Sequence, residues 1–295
     1  MKRTARKTTP RAAIGIIGGS GLYDMDGLTA RRTLAVRTPF GAPSGPLSLG
    51  SLGGMDVAFL ARHGAGHRLS PSEINYRANI HALKQVGVER ILSVSAVGSM
   101  KESIHPGDLV LPDQFYDHTK QRRSTFFEGG IVAHAAFGDP VCPELTAVLA
   151  SACDRLGVTA HRGGTYLCME GPQFSSRGES LVYRQWGVDV IGMTNATEAK
   201  LAREAEICYA TLALVTDYDC WHRDEAPVTV EAVIKLLAEN VAKAKRVLGD
   251  TIPALKAARR CACGDALRHA VITAPAAVPA RTRTRLKLLL ARWNR

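Results

Sequence analysis

The sequence has no uninterrupted apolar stretch of the roughly 18 residues that a membrane-spanning helix needs. Its first residues also lack the apolar centre of a secretory signal. No membrane partner is expected, and the chain reads as cytoplasmic. Its seven cysteines form no Cys-x-x-Cys pair and no Cys/His spacing of a zinc site. A Gly-x-Ser-x-Gly nucleophile elbow is missing too. Metal: none, and no acyl-enzyme mechanism, is the reading these absences give. Cys261-Ala-Cys263 is the one close cysteine pair; a small redox bridge is open to it, and reduced thiols are the favoured reading.

Acids are absent from both ends of the chain. Lys2, Arg3, Arg6, Lys7 and Arg11 lie in residues 1–12, and Arg281, Arg283, Arg285, Lys287, Arg292 and Arg295 in residues 275–295. These cations account for the whole net charge of +11, so the central body is neutral. A basic charge confined to the ends reads as solvated tails, and no nucleic-acid partner is expected. With 46% hydrophobic and 22% charged residues, the body has the composition of an ordinary globular domain. No linker or internal repeat divides it. The expected layout is a basic tail over 1–12, one domain over 13–260, and a Cys-x-Cys and basic segment over 261–295. That last segment is expected to be partly disordered or to lie along a neighbouring subunit.

Apolar runs at 12–17, 55–60, 90–94, 108–111, 164–169, 188–192 and 207–215 read as strands. Helical spacing appears at 75–86, 143–156, 179–186, 198–205 and 229–248. The alternation predicts an α/β single domain with a mostly parallel twisted sheet flanked by helices.

Three strand ends carry polar groups. Gly18-Gly-Ser-Gly21 lacks the third glycine of a dinucleotide fingerprint and the lysine of a Walker loop, so a plainer anion turn with Ser20 remains. Arg62-His63 and Ser93-Val-Ser-Ala-Val-Gly-Ser99 follow the next strands and add a guanidinium, an imidazole, hydroxyls and amides. That set fits a phosphate-sized oxyanion. Taken singly, Arg62 reads equally as the partner of a core acid and His63 as a structural histidine. Asp217 and Asp219 stand two apart at the end of a further strand. In extended chain they would share a face, with Tyr218 opposite. Ligands of open α/β sheets bind at such strand ends.

The chain closely resembles the 5′-methylthioadenosine phosphorylases, a branch of the trimeric purine nucleoside phosphorylases, over residues 14–248. The likeness is carried by Ile16-Ile-Gly-Gly-Ser-Gly21, Thr38-Pro-Phe-Gly41, Ala61-Arg-His-Gly64, Asn75-Tyr-Arg-Ala-Asn79, Ser95-Ala-Val-Gly-Ser99, Asp113-Gln-Phe115, Glu170-Gly-Pro-Gln-Phe-Ser-Ser-Arg177, Gly192-Met-Thr194 and Thr216-Asp-Tyr-Asp-Cys-Trp221. The resemblance implies a purine nucleoside phosphorylase-like fold in which Ser20, Arg62, His63, Ser95, the Ala96 amide and Thr194 hold phosphate. It implies Phe174 on the purine, Met193 beside the ribose, and Asp217, Tyr218 and Asp219 around the base. Ser175, Val230, Val233 and His67 would shape the pockets for the base and the 5′ substituent, with His134 of a neighbouring subunit completing the latter. The implied reaction is phosphorolysis of 5′-methylthioadenosine, with Asp217 donating a proton to N7 and Asp219 accepting from the 6-amino group. Phosphate is a co-substrate, no cofactor is implied, and the implied assembly is a homo-oligomer, a trimer or a hexamer built from two trimers.

Two departures from the family pattern stand out. Residues 195–198 read Asn-Ala-Thr-Glu where relatives usually carry a proline before the glutamate, and Gln173 replaces a frequent arginine. Thr197 is expected to cap the following helix in proline's place. Asp219 argues against the rival reading, a phosphorylase of 6-oxopurine nucleosides, which needs a donor to O6. Broader action on adenosine stays open, because one missing apolar contact discriminates weakly.

Overall fold

The computed structural model describes residues 11–23, 25–222 and 230–292. Its strands are β1 (Ile14–Gly18), β2 (Thr29–Leu34), β3 (Leu47–Leu52), β4 (Met55–Ala61), β5 (Arg90–Ser99), β6 (Leu109–Leu111), β7 (Gln114–Asp117), β8 (Ala160–Arg162), β9 (Thr165–Cys168), β10 (Val190–Gly192) and β11 (Cys208–Asp217). The helices are α1 (Tyr76–Gln85), α2 (Pro143–Arg155), α3 (Arg177–Gln185), α4 (Asn195–Glu204), α5 (Val230–Ala254) and α6 (Ala280–Arg285). No helix among the described residues is long and apolar enough to cross a membrane.

All strands join one sheet, which runs β2-β3-β4-β1-β5-β10-β9-β7. It forks at β5, where β11 pairs along the other edge and leads on to β6 and β8. Six of the ten strand pairings are parallel. The central strands show why: β1 is buried throughout and β11 nearly so, as befits strands covered on both faces. One apolar layer gathers α1 and α4 residues such as Ile80, Leu83, Leu201 and Ala202, and another gathers Leu145, Leu149, Val247 and Leu248 of α2 and α5.

Local sequence sets the helix starts. Asn75 accepts from the Ala78 amide ahead of α1, Pro143 opens α2 where its missing N–H costs nothing, and Ser176 with Glu179 forms a reciprocal capping box on α3. Thr197 does not do what was expected of it. Helix α4 begins at Asn195, two residues before Thr197, which lies inside it with a buried hydroxyl that has no hydrogen-bond partner among the described residues.

The C-terminal segment also differs from expectation. Residues 262–265 and 275–277 make short 3-10 turns, α6 follows, and Val278, Leu286, Leu289 and Leu290 are buried in the same layer as α1 and α4. Arg285 lies over the Phe40 ring and donates to the Glu128 carbonyl. Three leucines at 286, 289 and 290 give too short a period to register against the surrounding Ala, Pro and Arg. Packing onto the body, and not local propensity, orders them.

Candidate active site

The parallel register brings the polar strand ends to one edge. Gly18 of β1 pairs with Ala61 of β4, so Arg62 follows directly beside the glycine turn and its amide donates to the Gly18 carbonyl at 3.0 Å. Ile17 pairs with Ser93 of β5, which sets Ser95 and Ala96 just beyond. On the other edge of β5, Asp217 pairs with Gly98 across a bulge in β11. A Cβ at Gly98 would stand 2.8 Å from Asp217 Oδ1, so the missing side chain is what lets the carboxylate sit there. Met193 and Thr194 follow β10, whose Val190 and Ile191 pair with Ser99 and Gly98.

Arg62 is only 3% exposed and Glu198 only 2%. Its Nε donates to Glu198 Oε1 at 2.6 Å, its Nη2 to Glu198 Oε2 at 3.2 Å and to Ser93 Oγ at 2.6 Å, and its Nη1 to the Val94 carbonyl at 2.8 Å. Four of the five guanidinium N–H groups are used, and one on Nη1 is left over from these bonds. Burial works against this charge, but the Glu198 carboxylate outweighs it and holds Arg62 protonated. Ser93 and Tyr209 also donate to Glu198 Oε2, at 2.9 and 2.8 Å. Asn195 extends the network, donating to Ser93 and Thr211 and accepting from Tyr166 and Thr194. The ion-pair reading of Arg62 is therefore correct, and it fixes the guanidinium beside the glycine turn.

The other phosphate candidates surround that edge. Ser95 Oγ is buried with no hydrogen-bond partner among the described residues, an arrangement that suits an incoming acceptor. Ala96 is exposed, and Thr194 is buried ahead of α4. His63 places Nδ1 2.8 Å from the Leu69 carbonyl and stacks on His67 with ring centroids 4.1 Å apart. With Nδ1 as donor, Nε2 carries the free lone pair. Burial, and then the Arg62 charge, push His63 down to about 4, so at neutral pH the ring is uncharged. The ring is thus a neutral group beside the fixed charge of Arg62. Ser20 belongs to the 3-10 turn Ser20–Tyr23, but its side chain lies outside the described residues.

At the base end the geometry departs from the extended-chain argument. Strand β11 stops at Asp217, and Asp219 lies in a turn with φ +53°. The acids meet because the Asp219 amide donates to Asp217 Oδ1 at 2.8 Å. Thr216 Oγ1 donates to Asp217 Oδ2 at 2.6 Å. Asp219 is the acid pushed up, first by burial, with the Asp217 charge adding to it. Tyr218 lies between the two acids in sequence. It is buried against Trp221 and stacks on His222 at 4.7 Å.

Phe174 is 54% exposed, and the neighbouring Ser175 is buried. Val230 and Val233 fall in α5, with side chains outside the described residues. His134 is exposed and its amide donates to the Ala270 carbonyl of its own chain.

Residues 13–253 match the model of the phosphorylase superfamily. The chain is 59% identical over 283 residues to an S-methyl-5′-thioadenosine phosphorylase of Koribacter versatilis, covering 96% of this chain and 97% of that one. The chain belongs to the phosphorylase superfamily, in its methylthioadenosine phosphorylase branch. A second relative, from Geobacter sulfurreducens, is 56% identical over 95% of this chain and 98% of its own. Among solved structures, a methylthioadenosine phosphorylase from an antarctic soil metagenomic library superposes with a TM-score of 0.90 at 51% identity, covering 95% of this chain and 99% of that one. The Schistosoma mansoni enzyme in complex with adenine gives 0.79 at 34% identity, covering 88% and 96%.

Two supporting residues of this phosphorylase site escape a reading by motif. Glu198 sits in a quoted stretch, yet nothing in its spacing announces a partner 136 positions away. Arg122 stands in the basic run Lys120-Gln-Arg-Arg123, which reads as an exposed loop, yet its side chain is almost fully buried. It donates to the carbonyls of Met193 and Glu170 and pairs with the Glu170 carboxylate at 3.3 Å. That clamp ties the loop bearing Phe174 to the Met193 segment. At Gly171 the approach is so close that a Cβ would lie 2.5 Å from the Met193 sulfur.

Proposed function

We propose that this chain catalyses phosphorolysis of 5′-methylthioadenosine, giving adenine and 5-methylthioribose 1-phosphate. The observation that carries the reading is the juxtaposition across β5 of a buried, permanently charged Arg62 beside an unpartnered Ser95 hydroxyl with the Asp217/Asp219 pair.

Phosphate binds among Ser20, Arg62, His63, Ser95, the Ala96 amide and Thr194, and one of its oxygens attacks C1′ of the ribose. As the C1′–N9 bond breaks, its electron pair goes to the purine, and a proton delivered to N7 neutralises the base. Burial, with the Asp217 charge adding to it, pushes Asp219 up, and this supports one proton being shared between the two carboxyls once the base covers the site. Asp217 passes that proton to N7, and Asp219, then ionised, accepts from the 6-amino group. Phe174 lies on the purine, Met193 beside the ribose, and Ser175, Val230, Val233 and His67 line the pockets for the base and the methylthio group. The chemistry requires no cofactor. We assign the reaction to purine and methionine salvage in the cytoplasm, carried out by a homo-oligomeric trimer or hexamer.

Adenine release from methylthioadenosine, followed with and without phosphate, tests the proposal, with adenosine and inosine as alternative substrates. Release that requires phosphate and favours the 6-amino nucleosides is expected. Release without phosphate would make the chain a hydrolase, and preference for inosine would remove the role given to Asp219.

A further inference from the structure

Four cysteines distant in sequence converge on the side of the sheet away from the acids. Cys142 precedes the first turn of α2, Cys208 opens β11, and Cys261 and Cys263 lie at the 3-10 turn after α5. Asp217 closes the other end of β11, so the cluster is separate from the phosphorylase site. All four sulfurs lie within 4.8 Å of one another. The Cys208 and Cys261 sulfurs are 3.3 Å apart, well beyond the roughly 2.05 Å of a disulfide bond, and all seven cysteines are free. Four thiolates held tetrahedrally at about 2.3 Å from one ion have sulfurs about 3.8 Å apart, which falls inside the observed spread.

The surroundings suit a structural ion. Cys142, Cys208 and Cys263 are buried and Cys261 is partly exposed, so the site is closed on three sides with an entry on the fourth. The backbone already holds the ligands in place. The Cys142 amide donates to the Tyr209 carbonyl at 2.9 Å, and the amides of Arg260 and Cys261 converge on Glu144 Oε2 at 2.8 and 2.9 Å. Arg259 Nη1 stands 3.9 Å from the Cys208 sulfur, where a cation offsets part of the excess negative charge of four thiolates around a divalent ion.

We propose that Cys142, Cys208, Cys261 and Cys263 bind one zinc ion as a tetrathiolate site. Binding expels the four thiol protons to solvent with no change of oxidation state. The ion then staples the segment after α5 to the starts of α2 and β11. A site closed by four protein ligands is structural and not catalytic. The sequence hides it because only Cys261 and Cys263 are neighbours, and the remaining ligands come from elements 53 or more residues away.

The test is the metal content of the full chain, purified under thiol reductant, equilibrated with zinc and freed of loose ions. About one zinc per chain is expected, with X-ray absorption showing four sulfurs at about 2.3 Å. Cobalt in its place should give thiolate-to-metal charge-transfer absorption. The double variant Cys261→Ser/Cys263→Ser should lose the ion, whereas Cys153→Ala, a buried cysteine outside the cluster, should keep it. No retained metal in the reduced wild-type chain would overturn the proposal, and that result does not depend on any variant folding. Zinc kept by the double variant, or sulfurs that pair as disulfides and take up no metal on reduction, would overturn it as well.

Discussion

The two ends of the active site are built differently. The Arg62 guanidinium is held in a buried net of Glu198, Ser93, Tyr209, Asn195 and Thr211, with the nearby Ser95 hydroxyl left unpartnered among the described residues. At the Asp217/Asp219 end, where the proposal puts the purine, the Phe174 ring is more than half exposed, and Asp217 accepts from the Asp219 amide and the Thr216 hydroxyl. Phosphate is small and its charge is constant in kind, so a pre-set cavity with fixed donors suits it. A nucleoside has to enter, be read at its 6-position and leave, and its walls are spread over a strand end and a clamped loop. The contrast predicts that damage at the phosphate end shows up as lost stability, and damage at the base end as altered substrate handling.

The largest effect should come from Glu198→Ala. It leaves the Arg62 guanidinium buried and unpaired, a loss of about 3–5 kcal/mol, read by denaturant unfolding. A drop below 1 kcal/mol would show that the net is not what holds the phosphate end. Next is Asp219→Asn, which replaces an ionised acceptor by an amide that can also donate. A hydrogen bond to a charged group is worth about 1.5–3 kcal/mol, so kcat/KM for methylthioadenosine should fall at least roughly tenfold while the inosine-to-methylthioadenosine ratio rises. An unchanged ratio would separate Asp219 from base reading. Phe174→Ala comes third. Base–aromatic stacking is worth about 1–3 kcal/mol, and exposure of this ring places it at the low end. KM should rise several-fold with kcat little changed and Tm unmoved.

The smallest effect is protonic. His63 is pushed down to about 4 by burial and by Arg62. Because the unfolded ring holds its proton up to about 6.5, this group removes stability as pH falls from about 6.5 toward 4. Glu204, pushed up to about 7 by burial, works the other way, removing stability as pH rises from about 4.3 toward 7. Bulk unfolding therefore mixes the two, and ring-nitrogen NMR of His63 is the cleaner measurement. Without phosphate the ring should stay neutral down to about pH 5, and adding phosphate should raise its titration midpoint. A midpoint near the ordinary value in the free protein would contradict the closed phosphate end.

The fold and the strand-end chemistry were largely legible in sequence, because buried parallel strands advertise themselves as apolar runs and their polar ends follow at once. Strands β2, β3, β7 and β8 were not: exposed Arg31 and Arg32 and half-polar alternation give β2 and β3 no continuous run, and β7 and β8 are short and partly exposed. Thr197 misled because a threonine at a helix start resembles a cap, while the actual start is set by Asn195 locking into the buried net. The pairing of Asp217 with Asp219 was read from the wrong geometry and reached the right neighbourhood, since a turn brought them together where alternation could not. Long-range partners stayed invisible: Glu198 for Arg62, Arg122 for the purine loop, and the cysteines gathered from three elements.

The division between a pre-set phosphate end and a base end that does the proton chemistry is tested most directly in Asp217→Asn, by measuring turnover and phosphate affinity on the same preparation. Loss of the proton donor should cost at least roughly a hundredfold in kcat, while phosphate binds the variant within about twofold of the parent, a difference of roughly 0.4 kcal/mol. Turnover close to that of the parent, or phosphate affinity that falls in step with kcat, would contradict the division.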